Sequence, residues 1–297
     1  MDVSSTGLRV LRQIAESGSF TAAAARLGYT QSAVSRQAAA LEHSAGTALF
    51  ERRPDGVRLT PSGLTLLRHA HTVLASLAAA ERELTGTAPR TELVRLGAVL
   101  SAGATILPAA LAHLAKADPQ ITVTTREGTT PSLIRALRAG SLDLAVLTSR
   151  PPHRPFDSES PRLHLETVAD TELVVAVSST GDFAGRTSVH VDELVDAAWI
   201  AAPSSNSEPL LGVWPGLPGR PRVVHSARDW LTKLQLVAGG FGVTTVPSGL
   251  SPVLPPGVSL LRVDGAPPEI RRVLVARRCG HPAPAIAAVT QAITSTA

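Results

Sequence analysis

The sequence predicts an α/β protein in two unequal parts joined by one long helix, and three observations predict it. Between Phe20 and Glu42, two helical runs are separated only by Gly28-Tyr29-Thr30, the arrangement of a helix-turn-helix. Beyond Thr60 one helical pattern persists to about Thr85. From Leu93 onward, strand-like and helix-like segments alternate as β-α-β-α-β, which implies a parallel sheet with helices on its faces.

Leu8, Leu11, Ile14 and Ala15 recur at helical spacing and predict a first helix ended by Gly18-Ser19. The run Phe20–Leu27 follows. Gly28 suits its end because glycine takes a positive φ without strain, and Thr30 can cap the run Gln31–Glu42 by accepting a backbone N–H. Ala33, Val34, Gln37 and Leu41 fall near one face, with Val34 and Leu41 placed to pack on the preceding helix. Gln31, Ser32, Ser35 and Arg36 fall on the other side, at the end of a helix that can enter a major groove. Gln pairs with adenine, Arg with guanine or phosphate, and Ser with either. Asp55-Gly56 is a hairpin signal between two short extended pieces, giving a wing that places Arg52, Arg53 and Arg58 near a DNA backbone or minor groove. For an isolated Ala-rich pair, an amphipathic hairpin with a solvated face and no DNA is the favoured reading. The turn, the polar first turn and the basic wing together favour double-stranded DNA.

These residues resemble the LysR-type transcriptional regulators. The matching positions are Phe20-Thr21-Ala22-Ala23, Leu27, Gln31 to Gln37, Leu41-Glu42, Gly46, Leu49-Phe50, Arg52 and Leu59-Thr60-Pro61-Ser62-Gly63. Ser32 stands where the family often has Pro, and Ala45 where it often has Leu. The resemblance implies that Gln31, Ser32, Ser35 and Arg36 are the recognition-helix contacts and Arg52 or Arg53 the wing contact; Thr30 and Arg58 complete the expected DNA-binding set, and two winged units on one dimer would make the operator roughly palindromic.

Thr60 is a good N-cap and Pro61 sits at the tolerated first position of the long helix; Gly86 and Pro89 stop it. Gly63, Leu66, Ala70, Val73, Leu77, Ala80 and Leu84 alternate steps of three and four, a heptad pattern that favours a partner helix. Leu66, Val73, Leu77 and Leu84 are the dimerisation candidates. Leu64, Leu67, His71, Leu74 and Ala78 widen the stripe, so part of it can pack on the winged unit instead. His69 and His71 lie on different faces, so no metal site is expected there.

After a linker at Thr87–Glu92 come a strand at Leu93–Val99, a helix at Ile106–Ala117, a strand at Ile121–Thr125, a helix at Ser132–Ala139 and a strand at Leu142–Leu147. The family resemblance continues through Ile106-Leu107-Pro108, Gly128, Leu133, Leu137 and Gly140 to Ala145, and implies the first lobe of a periplasmic-binding-protein-like effector domain. Arg150–Pro161 reads as loop. A second lobe opens at Leu173–Val177 and continues through a short helix at Val191–Val195, a strand at Trp199–Ala201, an irregular Ser204–Gly219, a helix at Asp229–Ala238 and a glycine turn into Val243–Pro247. A strand at Arg271–Ala276 and a terminal helix at Ala283–Ile293 return to the first lobe. The expected domains are residues 1–60 (winged helix-turn-helix), 61–88 (linker and dimerisation helix) and 89–297 (effector-binding). In the last, lobe I takes about 92–167 and 269–297, lobe II about 168–268, and two crossings form the hinge.

Parallel α/β sheets bind ligands beyond the carboxyl ends of their strands. Those positions hold Ser101, Ala102 and Gly103, then Gly128, Thr129 and Thr130, and in the second lobe Ser204, Ser205 and Asn206. Small hydroxyl and amide groups near helix N-termini suit a small polar or anionic effector. Read singly, the same residues are ordinary caps and turns.

Composition narrows the function classes. At 44% hydrophobic and 3% aromatic, the cores must be built from Leu, Val, Ile and Ala, and a net charge of +4 permits a nucleic-acid partner. Cys279 is the one cysteine, so no disulfide framework or CxxC site forms, as suits a reducing compartment. There is no secretory signal pattern and no apolar run long enough to cross a bilayer, so a cytoplasmic protein is expected. Gly239-Gly240-Phe241-Gly242 follows a helix and opens a strand, the reverse of a dinucleotide fingerprint. With no GxxxxGK[ST], GxSxG or HExxH, neither catalysis nor a cofactor is expected. The sequence therefore reads as a sequence-specific, DNA-binding transcriptional regulator, a homodimer or homotetramer, modulated by an effector bound between two α/β lobes. The alternatives are a cytosolic small-molecule-binding protein and a DNA-organising protein without effector control.

Overall fold

The structure is a computed structural model that describes residues 3–54, 56–84, 92–150, 162–202 and 211–296. Five helices and strands make the winged unit: α1 (Ser5–Ser17), α2 (Phe20–Leu27), α3 (Gln31–Ala45), β1 (Phe50–Arg53) and β2 (Gly56–Leu59). Val10, Ile14, Phe20, Ala23, Ala24, Val34 and Ala38 are buried together. The alanines let the three helices approach closely where aromatic side chains are scarce. Ala38, rather than the expected Gln37, shares the inner face of α3 with Val34 and Leu41, because residues four and seven apart superimpose on a helix; Gln37 is exposed. β1 and β2 pair antiparallel, Arg53 opposite Gly56; Asp55 of the expected turn lies outside the described residues.

The connecting helix α4 spans Pro61–Leu84. Its stripe divides. Leu67, Ala70 and Leu74 are buried within their own chain and Leu66 packs beside them, whereas Val73, Leu77 and Leu84 are 46%, 41% and 88% exposed. The N-terminal half of the heptad row is thus used by the winged unit, and the C-terminal half remains uncovered.

The larger part runs β3 (Glu92–Ala98), α5 (Leu100–Thr105), α6 (Leu107–Ala117), β4 (Ile121–Glu127), α7 (Thr130–Arg138), β5 (Leu144–Ser149) and β6 (Leu163–Ser178). It continues with β7 (Ser188–His190), β8 (Trp199–Ala201), β9 (Val223–Ser226), α8 (Trp230–Ala238), β10 (Thr244–Pro247), β11 (Val258–Asp264), β12 (Ile270–Arg278) and α9 (Pro284–Ser295). Short 3₁₀ turns occupy Val191–Leu194 and Ser248–Val253. The main sheet is ordered β4-β3-β5-β12-β6-β11-β7, with β10 also on β6. β3 pairs parallel with β4 and β5, as the β-α-β-α-β pattern requires.

The chain passes between the lobes twice, along β6 and again from β11 to β12. One 16-residue strand, β6, passes through both: its first half pairs with β12 and its second half with β10 and β11, all antiparallel. The second lobe is therefore mixed: β10 and β11 run antiparallel to β6, while β7 lies parallel to β11 and β8 parallel to β9. Leu173, Val175 and Val177 face one core of that lobe, while Val174 and Ala176 face another, the period-2 alternation of a strand covered on both sides. α9 returns to the first lobe, burying Ala285, Val289, Ala292 and Ile293 in its core. Ser101–Gly103, expected as loop, lie on α5. No helix among the described residues is long and apolar enough to cross a membrane.

The two parts touch. Ala139, at the C-terminal end of α7, is fully buried in a cluster with Leu11, Leu41, Leu49 and Leu67 of the winged unit and α4.

Candidate nucleic-acid interface and ligand cavity

The reading helix is set by local hydrogen bonds. Ser19 caps α2 by accepting from Ala22 N, and Gly28 ends it at φ 69°. Thr30 caps α3 by accepting from Ala33 N at 3.2 Å. Its hydroxyl also lies 3.1 Å from that of Ser32, and Gln31 Nε2 donates to Ser35 Oγ at 2.9 Å. With Val34, Ala38 and Leu41 turned inward, Gln31, Ser32 and Arg36 are exposed and Ser35 is half-buried beneath them. The first turn therefore presents amide, hydroxyl and guanidinium groups beside the unpaired N–H groups of a helix N-terminus, where phosphate is favoured.

The wing is fixed to this helix. Glu42 Oε1 accepts from Leu49 N at 2.8 Å and from Phe50 N at 3.1 Å. Thr60 donates to Ala48 O at 2.7 Å while capping α4 through Gly63 N. The three wing arginines differ. Arg52 lies over the Phe20 ring at 5.0 Å, Arg53 pairs with Glu51 at 3.0 Å, and Arg58 is exposed on β2.

Between the lobes is a cavity of about 440 Å³, lined by Ser101, Ala102, Thr105 and Ile106 of the α5 region and by Thr148 of β5. The rest of its wall is Ala169 to Glu172 of β6, Pro247 to Leu250, Val273 of β12 and Thr296. Of the expected ligand residues, Ser101 and Ala102 thus stand on the wall. Gly103 does not line the cavity, Thr129 is the N-cap residue of α7, and the Thr130 hydroxyl donates to Thr148 O at 3.4 Å just behind it. Ser204, Ser205 and Asn206 lie outside the described residues.

Sequence reasoning missed Thr105, Thr148, Asp170, Thr171, Glu172 and Ser248. Thr148 had a signal, since it closes the third parallel strand and the strand-end rule applies to it equally. The others lie on a helical turn, mid-strand on β6 and on a 3₁₀ turn, with no local pattern to mark them. Thr171 Oγ1 lies 3.0 Å from Ser248 Oγ and accepts from Gly249 N, fixing the turn at Ser248 to β6 on the cavity wall. Asp170 holds Arg272 in a two-pronged pair at 2.9 and 3.0 Å. Among the described lining residues there is no Lys, Arg or His. No group of three or more His, Cys, Asp or Glu among the described residues could hold a metal ion.

Two family models match this chain. Residues 6–64 match the model described as bacterial regulatory helix-turn-helix protein, lysR family, and residues 87–297 match the LysR substrate binding domain. The chain belongs to the LysR family. It is a DNA-binding transcriptional regulator with an effector-binding domain. Among relatives of this LysR-type regulator is a probable hydrogen peroxide-inducible genes activator of Mycobacterium avium, 32% identical over 83% of this chain and 78% of that protein. The regulator AlsR of Bacillus subtilis is 27% identical over 90% of this chain and 88% of its own. Solved structures share the fold. A full-length OxyR variant of Pseudomonas aeruginosa superposes with a TM-score of 0.62 at 24% identity, covering 100% of this chain and 99% of that one. CbnR complexed with its target DNA gives 0.56 at 21% identity, covering 99% and 100%.

Proposed function

We propose that this LysR-family regulator reads its operator with the first turn of α3, Thr30, Gln31, Ser32, Ser35 and Arg36, flanked by Arg52, Arg53 and Arg58 of the wing. The observation that carries this reading is the exposed polar first turn of α3, held rigid by caps and set beside the wing. Its proposed division is a DNA-binding unit at 1–60, a dimerisation helix at 61–88 and an effector-binding unit at 89–297. Val73, Leu77 and Leu84 form the row through which α4 pairs subunits into a homodimer or, through further contacts, a homotetramer; Leu66, expected with them, is taken up by the winged unit. Two winged units on one dimer require a roughly palindromic site. The protein works in the cytoplasm and acts by binding, not by catalysis.

The proposed effector is a small polar molecule held by the hydroxyls of Ser101, Thr105, Thr148, Thr171 and Ser248. Of the two lining carboxylates, Asp170 is already paired with Arg272, and Glu172 is the other charged group on the wall, so recognition rests chiefly on the hydroxyls. The mycobacterial relative is named for induction by hydrogen peroxide. In this chain Cys279 is the single cysteine, exposed after β12 with its thiol donating to Arg162 O at 3.1 Å, so no disulfide can form within one chain. Cavity occupancy, not an intrachain disulfide, is therefore the proposed signal.

The test is fluorescence anisotropy on DNA from upstream of the protein's own gene, beside scrambled DNA, at two salt concentrations. Tight, salt-sensitive preference for the native fragment is expected, with Arg36→Ala weakening it by about 1–3 kcal/mol if Arg36 reads a base edge. An Arg36→Ala variant that binds as tightly as the parent removes Arg36 from the interface.

A further inference from the structure

The winged unit is not merely tethered to the effector-binding part; it is seated on it. The seat is the C-terminal end of α7 and the turn after it. Ala139 is fully buried against Leu11, Leu41, Leu49 and Leu67. Gly140, at φ 61°, lies so close to His71 of α4 that a Cβ there would stand 2.7 Å from the imidazole. Arg135 Nε donates to Glu16 O at the end of α1 at 3.3 Å, and Arg126 of β4 pairs with the buried Glu16 carboxylate at 3.5 Å. The turn is itself braced. Asp143 accepts two side-chain bonds from Arg95 of β3 at 2.9 and 2.8 Å, and Arg278 of β12 donates to Leu137 O and Leu142 O at 3.0 and 2.8 Å.

The other end of the same helix belongs to the cavity. Thr129 is its N-cap residue, and Thr130 in its first turn bonds the carbonyl of Thr148, a residue of the cavity wall. Nine residues separate the cavity from the seat, about 13 Å at the α-helical rise. Leu133, Ile134, Ala136 and Leu137 bury the helix along its length in the first-lobe core, which holds its two ends at a fixed separation. Meanwhile Gln31, Ser32 and Arg36 stay exposed, so seating leaves the reading face open and fixes only its orientation.

We propose that α7 is a direct relay within one subunit: its N-terminal end backs the effector cavity, its C-terminal end seats the DNA-reading unit, and cavity occupancy changes the balance between seated and released winged units. This rests on the proposed effector cavity. In a dimer, two seated units hold a fixed half-site spacing, and release relaxes it. An effector shifts the balance only by its differential affinity for the two states. Linkage makes the effect reciprocal, so operator DNA that selects one state must alter the cavity even with no effector present.

That reciprocity supplies the test, with operator DNA as the probe. Amide hydrogen exchange is measured on the full-length chain, with and without an operator duplex selected from random DNA. The parent, Ala139→Glu, Glu16→Lys and the double variant Glu16→Lys/Arg126→Glu are compared. In the parent, DNA is expected to slow exchange on residues 31–37 and to change exchange on residues 130–140 and 101–106 by about fivefold or more. In Ala139→Glu the footprint on 31–37 persists while the change in α7 and the cavity disappears. Glu16→Lys reduces that change and the double variant restores it. Unaltered exchange of the β3 and β5 amides reports that lobe I remains folded; if Ala139→Glu unfolds it, the Glu16 and Arg126 variants decide. An equal cavity response in parent and seat variants would overturn the relay, as would no response in the parent despite a footprint on α3. A missing footprint on α3 would instead overturn the DNA-reading assignment on which the relay depends.

Discussion

Every side chain on the reading face of α3 comes from one short stretch, residues 30–37, oriented by bonds made inside that stretch. The cavity wall is the opposite kind of object, assembled from α5, β5, β6, the turn at Ser248, β12 and Thr296, which span most of the effector-binding part. A locally encoded site is specified residue by residue, and single substitutions act on it directly. A convergent site is specified by the packing that brings its walls together, so its most sensitive residues lie outside it.

The largest effect is therefore expected at Asp143, which lines no site. It ties the turn after α7 to β3, and it is only 11% exposed. Burial works against its charge, but the side-chain and backbone bonds from Arg95 outweigh this and hold the carboxyl below its usual range. Asp143→Ala leaves Arg95 and Arg278 without their counter-ion and should cost about 2–4 kcal/mol in urea unfolding of the full chain. A loss below about 1 kcal/mol would mean that the convergent half does not depend on this brace.

The same region carries a pH signature. His71 is pushed down to about 4, first by burial and then by the charges of Arg278, Arg12 and Arg95, with Asp143 opposing. Its Nε2 is buried without a hydrogen-bond partner among the described residues. The folded state thus holds it neutral, whereas the unfolded chain protonates it near 6.5. Its contribution is complete above pH 6.5, falls as the unfolded state takes up the proton, and is gone below about 4. A loss of about 1–3 kcal/mol over that window is expected, after allowing for solvent screening. His71→Gln should flatten the slope between pH 6.5 and about 4, and a slope identical to the parent's would assign the pH dependence to other groups.

The two halves also differed in how far the sequence revealed them. The turn at Gly28, the Thr30 cap and the inward Val34 and Leu41 were legible because each is a contact within about one helical turn. That β3, β4 and β5 form a parallel sheet was legible from alternation. What stayed hidden depended on distant partners. The continuity of β6 across both lobes was hidden because no turn residue marks where pairing passes from β12 to β10 and β11. The division of the α4 stripe was hidden because heptad spacing does not say which neighbour fills it. The strand-end rule points to Ser101 and Ala102, which stand on the cavity wall, whereas Thr171 and Ser248, 77 residues apart, meet only after β6 and the turn have packed together.

On the local side, Gly28→Ala is expected to be smaller than the effect at Asp143 and confined to the winged unit. Gly28 sits at φ 69°, and beyond its chain neighbours nothing lies within 4 Å of where a Cβ would stand, so the cost is backbone strain alone, about 1–2 kcal/mol. Operator affinity should fall with it while thermal unfolding of the α/β part is unchanged. Loss of cooperativity in both transitions together would mean that the seat at Ala139 makes the winged unit and lobe I unfold as one.

The smallest effect on stability, and the sharpest separation of the two sites, is expected in the cavity wall. Thr148→Val and Ser101→Ala keep the shape of the wall and remove one hydroxyl each, so unfolding should shift by no more than about 0.5 kcal/mol. Operator affinity without ligand should stay at the parent's value, because neither residue touches the winged unit. Binding of small polar compounds found by thermal-shift screening should weaken in both, since a convergent site shares recognition over several hydroxyls and loses part of it with each. The Thr148→Val change has a second consequence. Its carbonyl, not its hydroxyl, accepts from Thr130, so the link from cavity to α7 survives in this variant. Ligand affinity should fall while the operator-induced exchange change in α7 persists, which separates recognition of the effector from transmission to the DNA-reading unit.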